Sequence, residues 1–246
     1  MNISLVVTTK SNKNNIIRLV NSLLPVMKLL HEVIFVDAGT PELEETVHRL
    51  SLFPQIIDGT GSSRGEGKNI GIRKATGDVI VFLDDDTEVT NSWLPQLVRS
   101  IRYGDIVAGY SPNPLGRDLP RVSTYYKGQD LSFPSCNIAF KKKVFDSVGL
   151  FDPSMITAED MELNFRCVKE GFTIHYDPLM VVYHYHRPSF HGFLRQAFWN
   201  GYGRKQLDKR CPELRHGHQH GMQPKVLVRL GVGFLGYMFG GSMNGR

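Results

Sequence analysis

Cysteine is scarce in this 246-residue chain, which holds only Cys136, Cys167 and Cys211. Three widely separated thiols give neither the even count of a disulfide framework nor a CxxC metal pair, and they fit a reducing, cytoplasmic setting. Long apolar runs are missing too. The tail VLVRLGVGFLGYMFGG is interrupted by Arg229, and the run beyond it falls short of the ~20 residues a spanning helix needs. It reads as an interfacial segment or as the beginning of a membrane domain. The opening MNISLVVTTK lacks the charged and apolar regions of a secretory signal. No internal repeat, GxxxxGK[ST] phosphate loop or twelve-residue calcium loop occurs. Acidic residues are sparse at one end: residues 183–246 hold two Asp+Glu against ten Lys+Arg, a net +8, which leaves 22 against 19, or −3, for residues 1–182. The basic charge accompanies aromatic residues rather than surrounding the acidic motifs, which argues against a nucleic-acid-binding module.

What is present is a chain with 41% hydrophobic residues, enough to bury the core of one large domain with an appendage. Strand-like and helix-like segments alternate. ISLVVTT (3–9), EVIFVDAG (32–39), FPQIID (53–58) and GDVIVFLDDD (77–86) read as strands. Between them, NNIIRLVNSLLPVM (14–27), PELEETVHRLS (41–51) and GEGKNIGIRKAT (65–76) read as helices, the second opened by Pro41 and early acids. This order implies βαβ units, a mostly parallel sheet covered on both faces, and a ligand crevice beyond the strands' carboxyl ends. Asp37, Asp58 and Asp84 to Asp86 all fall at such ends.

The run Asp84-Asp85-Asp86 is costly unless something positive joins it, because adjacent carboxylates raise the cost of ionising one another. Side chains alternate along a strand, so Asp84 and Asp86 share one side while Asp85 points away. Two carboxylates on one side suit a hard divalent cation such as Mn²⁺ or Mg²⁺. The plainer alternative is a solvated turn ahead of a helix capped by Thr90 or Asn91. Other segments offer partners for a nucleotide. Asp37 could accept from a ribose diol or merely set a turn, Asp58 or the backbone near Thr9 could read a base edge, and Arg64 and Lys68 flank Gly65 and Gly67, where a phosphate could approach.

Taken together, VVTTKSN, VIFVDAGTPE, SSRGEGKNIGIRKATGDVIVFLDDDTEV and TAEDMELNFRCVKEG resemble, in order and spacing, the nucleotide-sugar glycosyltransferases of family 2, over roughly residues 3–186. The resemblance implies a GT-A fold: a Rossmann-like, mostly parallel sheet flanked by helices, its nucleotide-sugar half at 1–110 and its acceptor half at 111–186. It further implies that Thr8, Thr9 and Asp37 hold the base and ribose. Asp84 and Asp86 match the DxD motif, with Asp86 as metal ligand and Asp85 beside the donor. Asp160 of the ED pair matches the general base, with Glu159 binding the acceptor or orienting the site. Glu162 stands where relatives often carry Asp, so it either helps bind acceptor or faces solvent.

Three further features complete the expectation. Thr157 is a cap candidate for a helix whose positive end would stabilise the Glu159 and Asp160 charges. In VVYHYHRPS, His184 and His186 alternate onto one side; His184 suits a third metal ligand and Arg187 a phosphate contact. Beyond residue 187, SFHGFLRQAFWNGYGRKQL sets Phe190, Phe193, Leu194, Ala197, Phe198 and Tyr202 near one helical face, either a membrane-surface element or a helix packed on the domain. The expected activity is metal-dependent, inverting transfer of a sugar from a GDP- or UDP-sugar to a lipid-linked or glycan acceptor, at the cytoplasmic face of a membrane. A catalytically silent nucleotide-sugar-binding protein is the alternative.

Overall fold

The computed structural model describes residues 1–10, 13–50, 53–115, 123–185, 190–216 and 224–239. Eight strands form one sheet in the order β3-β2-β1-β4-β9-β6-β10-β5. They are β1 (Ile3–Thr9), β2 (Glu32–Asp37), β3 (Gln55–Asp58), β4 (Val79–Asp84), β5 (Thr87–Val89), β6 (Ile106–Tyr110), β9 (Ile138–Lys141) and β10 (Ile174–His184). Strand β9 runs antiparallel to both β4 and β6, and the short β5 antiparallel to β10; the other pairings are parallel. A small second sheet joins β7 (Thr124–Tyr126), β8 (Gln129–Asp130) and β11 (Arg215–His216).

Two-residue alternation divides the core into two layers. On β1 and β4, Leu5, Val7, Val81 and Leu83 face a cluster that includes Ile16 and Leu19 of α1 (Lys13–Leu23), Val47 of α2 (Leu43–Arg49) and Leu94 of α4 (Trp93–Ser100). Val6, Ile80 and Phe82 face the opposite cluster, with Ile72 of α3 (Arg64–Lys74), Phe145 of α5 (Lys142–Val148) and Leu163 of α6 (Glu159–Lys169). Phe82 there meets Phe140, Phe145 and Phe151 edge-on at centroid distances of 6.1, 6.3 and 5.6 Å. The alternation continues to Asp84, whose side chain belongs to the α3–α6 side. Gly71 lets α3 lie directly on β1, because a β-carbon there would overlap Val6.

Two local expectations differ. Helix α1 ends at Leu23 rather than at residue 27, since Pro25 cannot continue it, and a 3₁₀ turn over Met27–Leu29 follows. No side-chain cap opens α6; Ala158, in the left-handed region at φ 64°, precedes it, and Thr157 is buried.

The last two helices, α7 (Phe190–Arg210) and α8 (Pro224–Phe239), form a hairpin. They approach closely because Gly201 and Gly236 carry no side chain; a β-carbon at either would overlap the other helix's backbone. Ala197, Tyr202 and Leu207 of α7 are buried, so Tyr202 of the aromatic face expected at a membrane surface is turned inward while Phe190 is exposed. The exposed apolar stripe lies on α8 instead, at Val228, Leu230, Phe234, Leu235, Met238 and Phe239. Among the described residues no helix is long and apolar enough to cross a membrane.

Candidate active site

The acids converge where β1, β2 and β4 end. Asp85 turns toward β1, accepting from Thr9 Oγ1 and the Lys10 amide, each at 2.9 Å, while Thr9 Oγ1 also lies 2.8 Å from Thr40 Oγ1. Burial pushes the Asp85 carboxyl up to about 6 against these hydrogen bonds, and the charges of Asp86 and Asp84 add to the rise. Asp85 therefore ties the β1 and β4 ends together. Asp37 accepts from the amides of Gly39 and Thr40 at 3.0 and 2.7 Å, which is the turn geometry allowed for it, and it also lines an open cleft of about 580 Å³ with Thr40 and residues of α2. Asp58 is exposed and accepts from the Thr60 amide, which holds its carboxyl below the usual range.

Asp84 and Asp86 do share one side. Their carboxylate oxygens and one ring nitrogen of His184 lie within 4.8 Å of one another, from three partly buried residues on the end of β4, the following turn and the end of β10. The His184 Nε2 is 3.0 Å from an Asp86 oxygen. A backbone bond from the Tyr185 amide to the Asp86 carbonyl at 2.9 Å holds the two segments together, and one from the His184 amide to the Pro112 carbonyl at 3.0 Å ties the end of β10 to the segment after β6. Two carboxylates and an imidazole make a donor set suited to Mn²⁺, and acceptable to Mg²⁺ through the oxygens, so the residues fit a divalent cation. His186 and Arg187 lie outside the described residues.

The second half of the site is the start of α6. Asp160 accepts from the amide of Met161 at 2.8 Å and from that of Ser135 at 3.3 Å. Burial, and then the neighbouring Glu159 carboxylate, push the Asp160 carboxyl up to about 6, although Lys68 opposes the rise. Glu159 is not presented to solvent. It is buried and paired with Lys68 of α3, with Nζ to Oε1 at 2.7 Å, and despite burial this ammonium keeps its carboxyl below the usual range. Lys68 also feels the charges of Asp84 and Asp160. Arg64 opens α3, and its charge acts on Glu159. Glu162 neither faces solvent nor waits for a ligand: it is buried and held by Arg166, whose guanidinium also donates to the Val148 and Leu150 carbonyls.

Several supporting residues escaped sequence reasoning. Cys136 is buried against the His184 ring, and its sulfur together with Asp86 outweighs burial and raises the pKa of that ring well above its ordinary value. Asn137 accepts from the Trp93 indole at 2.9 Å and donates to the Met180 and Tyr110 carbonyls, fixing the end of β6 against the middle of β10. Neither sits in a motif; a buried Cys-Asn pair has no periodic or spacing signature. The loop leading to Asp160 is braced by α7, through Gln206 Oε1 to the Ile156 amide at 3.1 Å and Arg210 to Asp152 at 3.1 Å.

A family model described as "Glycosyl transferase family 2" matches residues 4–148. Over 94% of this chain the sequence is 24% identical to the Pre-mycofactocin glycosyltransferase of Mycobacterium tuberculosis, 53% of whose length is covered. The chain thus spans about half the length of that curated relative. Among solved structures, the mannosyltransferase PcManGT from Pyrobaculum calidifontis, in complex with GDP-Man and Mn²⁺, gives a TM-score of 0.70 at 15% identity, covering 98% of this chain and 70% of that one. TarS 1-349 of S. aureus in complex with UDP gives 0.63 at 18% identity, covering 82% and 65%. The curled, mostly parallel sheet with helices on both faces is the GT-A fold.

Proposed function

The chain belongs to glycosyl transferase family 2, and from that premise we propose that it moves a sugar from a nucleoside diphosphate to an acceptor hydroxyl, with inversion and with help from Mn²⁺ or Mg²⁺. The observations that carry this reading are the Asp84, Asp86 and His184 cluster and the buried Lys68 ammonium, on which the charges of Asp84 and Asp160 both act. The GDP-Man, Mn²⁺ and UDP complexes of the structurally similar proteins support a nucleotide-sugar donor and a metal.

Asp84, Asp86 and His184 would hold the cation. Bound there, it would neutralise the donor diphosphate and act as Lewis acid on the leaving group. Thr8, Thr9, Asp37 and Asp58 line the strand ends where base and ribose would lie, and Arg64 the start of α3. Asp160 takes the proton of the acceptor hydroxyl as that oxygen bonds to the anomeric carbon. The bond from carbon to diphosphate oxygen breaks on the opposite face, and the nucleoside diphosphate leaves with the electron pair. A carboxyl raised to about 6 is ionised at neutral pH yet basic enough for this role.

The acceptor is membrane-borne, and the enzyme works at the cytoplasmic face. Support comes from the exposed apolar stripe of α8, from exposed Phe190 on α7, and from the net +8 of residues 183–246. Each basic residue near an anionic leaflet adds about 1 kcal/mol, and buried apolar area adds to that.

The central test is Asp160→Asn. Calorimetry with UDP and GDP in Mn²⁺ should show unchanged nucleotide binding, while nucleotide release from UDP-GlcNAc or GDP-mannose falls by roughly 10²- to 10⁴-fold. Near-normal turnover would remove Asp160 as the base.

A further inference from the structure

Lys68 sits in a glycine-rich segment where a phosphate contact is the natural expectation, yet its surroundings point elsewhere. Its side chain is only 5% exposed, its Nζ is 2.7 Å from Glu159 Oε1, and the ammonium lies 5.2 Å from the Phe151 ring centroid. The next residue, Asn69, bonds the Phe151 backbone in both directions, accepting from its amide and donating to its carbonyl at 2.9 Å each. Helix α3 thus grips the segment before α6 at one end through Asn69 and the first turn of α6 through Lys68. The residue after Glu159 is the proposed base.

We infer that Lys68 is a positioning residue for transfer: through the buried pair with Glu159 it fixes the first turn of α6 and supplies the positive charge that keeps Asp160 ionised, rather than binding donor phosphate. This rests on the reading of Asp160 as the base.

The charges that bear on Asp160 make the balance specific. From α6 itself Glu159 opposes ionisation; from α3 Lys68 favours it, with Arg64 acting on Glu159; from β4 Asp84 adds a negative charge felt by Lys68; from the segment before β9, Ser135 contributes an amide hydrogen. Removing the Lys68 charge alone leaves carboxylates without their counter-charge. Removing Lys68 and Glu159 together deletes one charge of each sign and replaces a buried ion pair with neutral side chains of similar volume, a change that folds often tolerate.

The experiment compares the parent chain with Lys68→Met, Lys68→Met/Glu159→Gln and Asp160→Asn. Two readouts are used: calorimetric binding of UDP in Mn²⁺, and nucleotide release from UDP-GlcNAc and GDP-mannose between pH 5 and 9. Lys68→Met should leave nucleotide affinity within about twofold and move the acidic limb of the rate profile upward by about one pH unit, the lower end of what a nearby charge imposes. The double variant should bring the limb back to within about half a unit of the parent. Weakened UDP binding with an unmoved limb would make Lys68 a phosphate contact and overturn the inference. A double variant no better than the single one would overturn it as well; should Lys68→Met not fold, the double variant is compared with Glu159→Gln, above whose limb its own should lie by about one pH unit, and coincident limbs would overturn the inference. Normal turnover by Asp160→Asn would topple the base assignment and this inference with it. An inactive Asp160→Asn beside an unshifted Lys68→Met would topple this inference alone.

Discussion

Asp160→Asn preserves the side-chain outline and deletes a titratable group, so its effect on stability tests the electrostatics of the site apart from turnover. Burial and Glu159 raise the Asp160 carboxyl from 3.8 to about 6. At 1.36 kcal/mol per pKa unit, that rise makes the ionised form about 3 kcal/mol less favourable in the folded chain than in the unfolded one. The folded state holds this proton more tightly than the unfolded state. The associated stability is therefore fully present below pH 4 and is lost as pH rises through 6. The Asn side chain has no such loss. It has, however, one acceptor oxygen where the carboxylate has two, so either the Ser135 or the Met161 amide loses its partner, at a cost of about 1–3 kcal/mol at every pH. The expected signature is a difference that changes with pH: Asn less stable than the parent near pH 4, and level with it or ahead near pH 7.5. For a chain of this length 1 kcal/mol corresponds to about 2–4 °C. After allowance for partial exposure and for Lys68, the relative Tm should climb by several degrees. Thermal melts of both proteins in chelator, from pH 4 to 8, measure it. A relative Tm that is flat or falls with pH would refute the argument that Asp160 is a destabilised anion.

The other expectations concern the metal and the membrane. Asp86→Ala should abolish the Mn²⁺-dependent part of nucleotide binding while leaving the melting transition intact, because Asp86 lies on a turn outside both core clusters; equal calorimetric affinity for UDP with and without Mn²⁺ in parent and variant alike would discount the site. Phe234→Ser/Leu235→Ser/Met238→Ser should sharply reduce co-sedimentation with anionic vesicles at low salt and leave nucleotide affinity unchanged. A parent chain that stays in the supernatant would sink the membrane reading.

Much of the fold was legible because it rests on periodicity. The unbroken apolar runs in ISLVVTT and GDVIVFLDD give each strand two core-facing sides, and those sides are filled by the two helical layers such runs demand. The same local rule put Asp84 and Asp86 on one side and Asp85 on the other. Elements without a strong period were read less well. Thr157 looks like a cap by residue type, but the chain is instead turned by Ala158 at positive φ, and α7 carries enough aromatics to suit either a membrane or a packed hairpin.

The chain by itself was enough to mark out the acidic strand ends, the ED pair at a helix start and the segregation of charge, since the first two depend on residues within a few positions of one another and the third on a count along the sequence. The partners across the fold were not available from it. Lys68 and Glu159 are 91 positions apart, and nothing in either segment distinguishes an ammonium that meets a phosphate from one that meets a buried carboxylate. That choice depends on how closely α3 lies on β1, which Gly71 permits, and on where the sheet's curl brings α6. The direction of α7's aromatic face was decided the same way. Glycines at 201 and 236 let α8 pack closely on part of it, where Phe198 meets Phe239 at a centroid distance of 6.4 Å, because two helices without intervening side chains gain more contact from each other than from a surrounding medium.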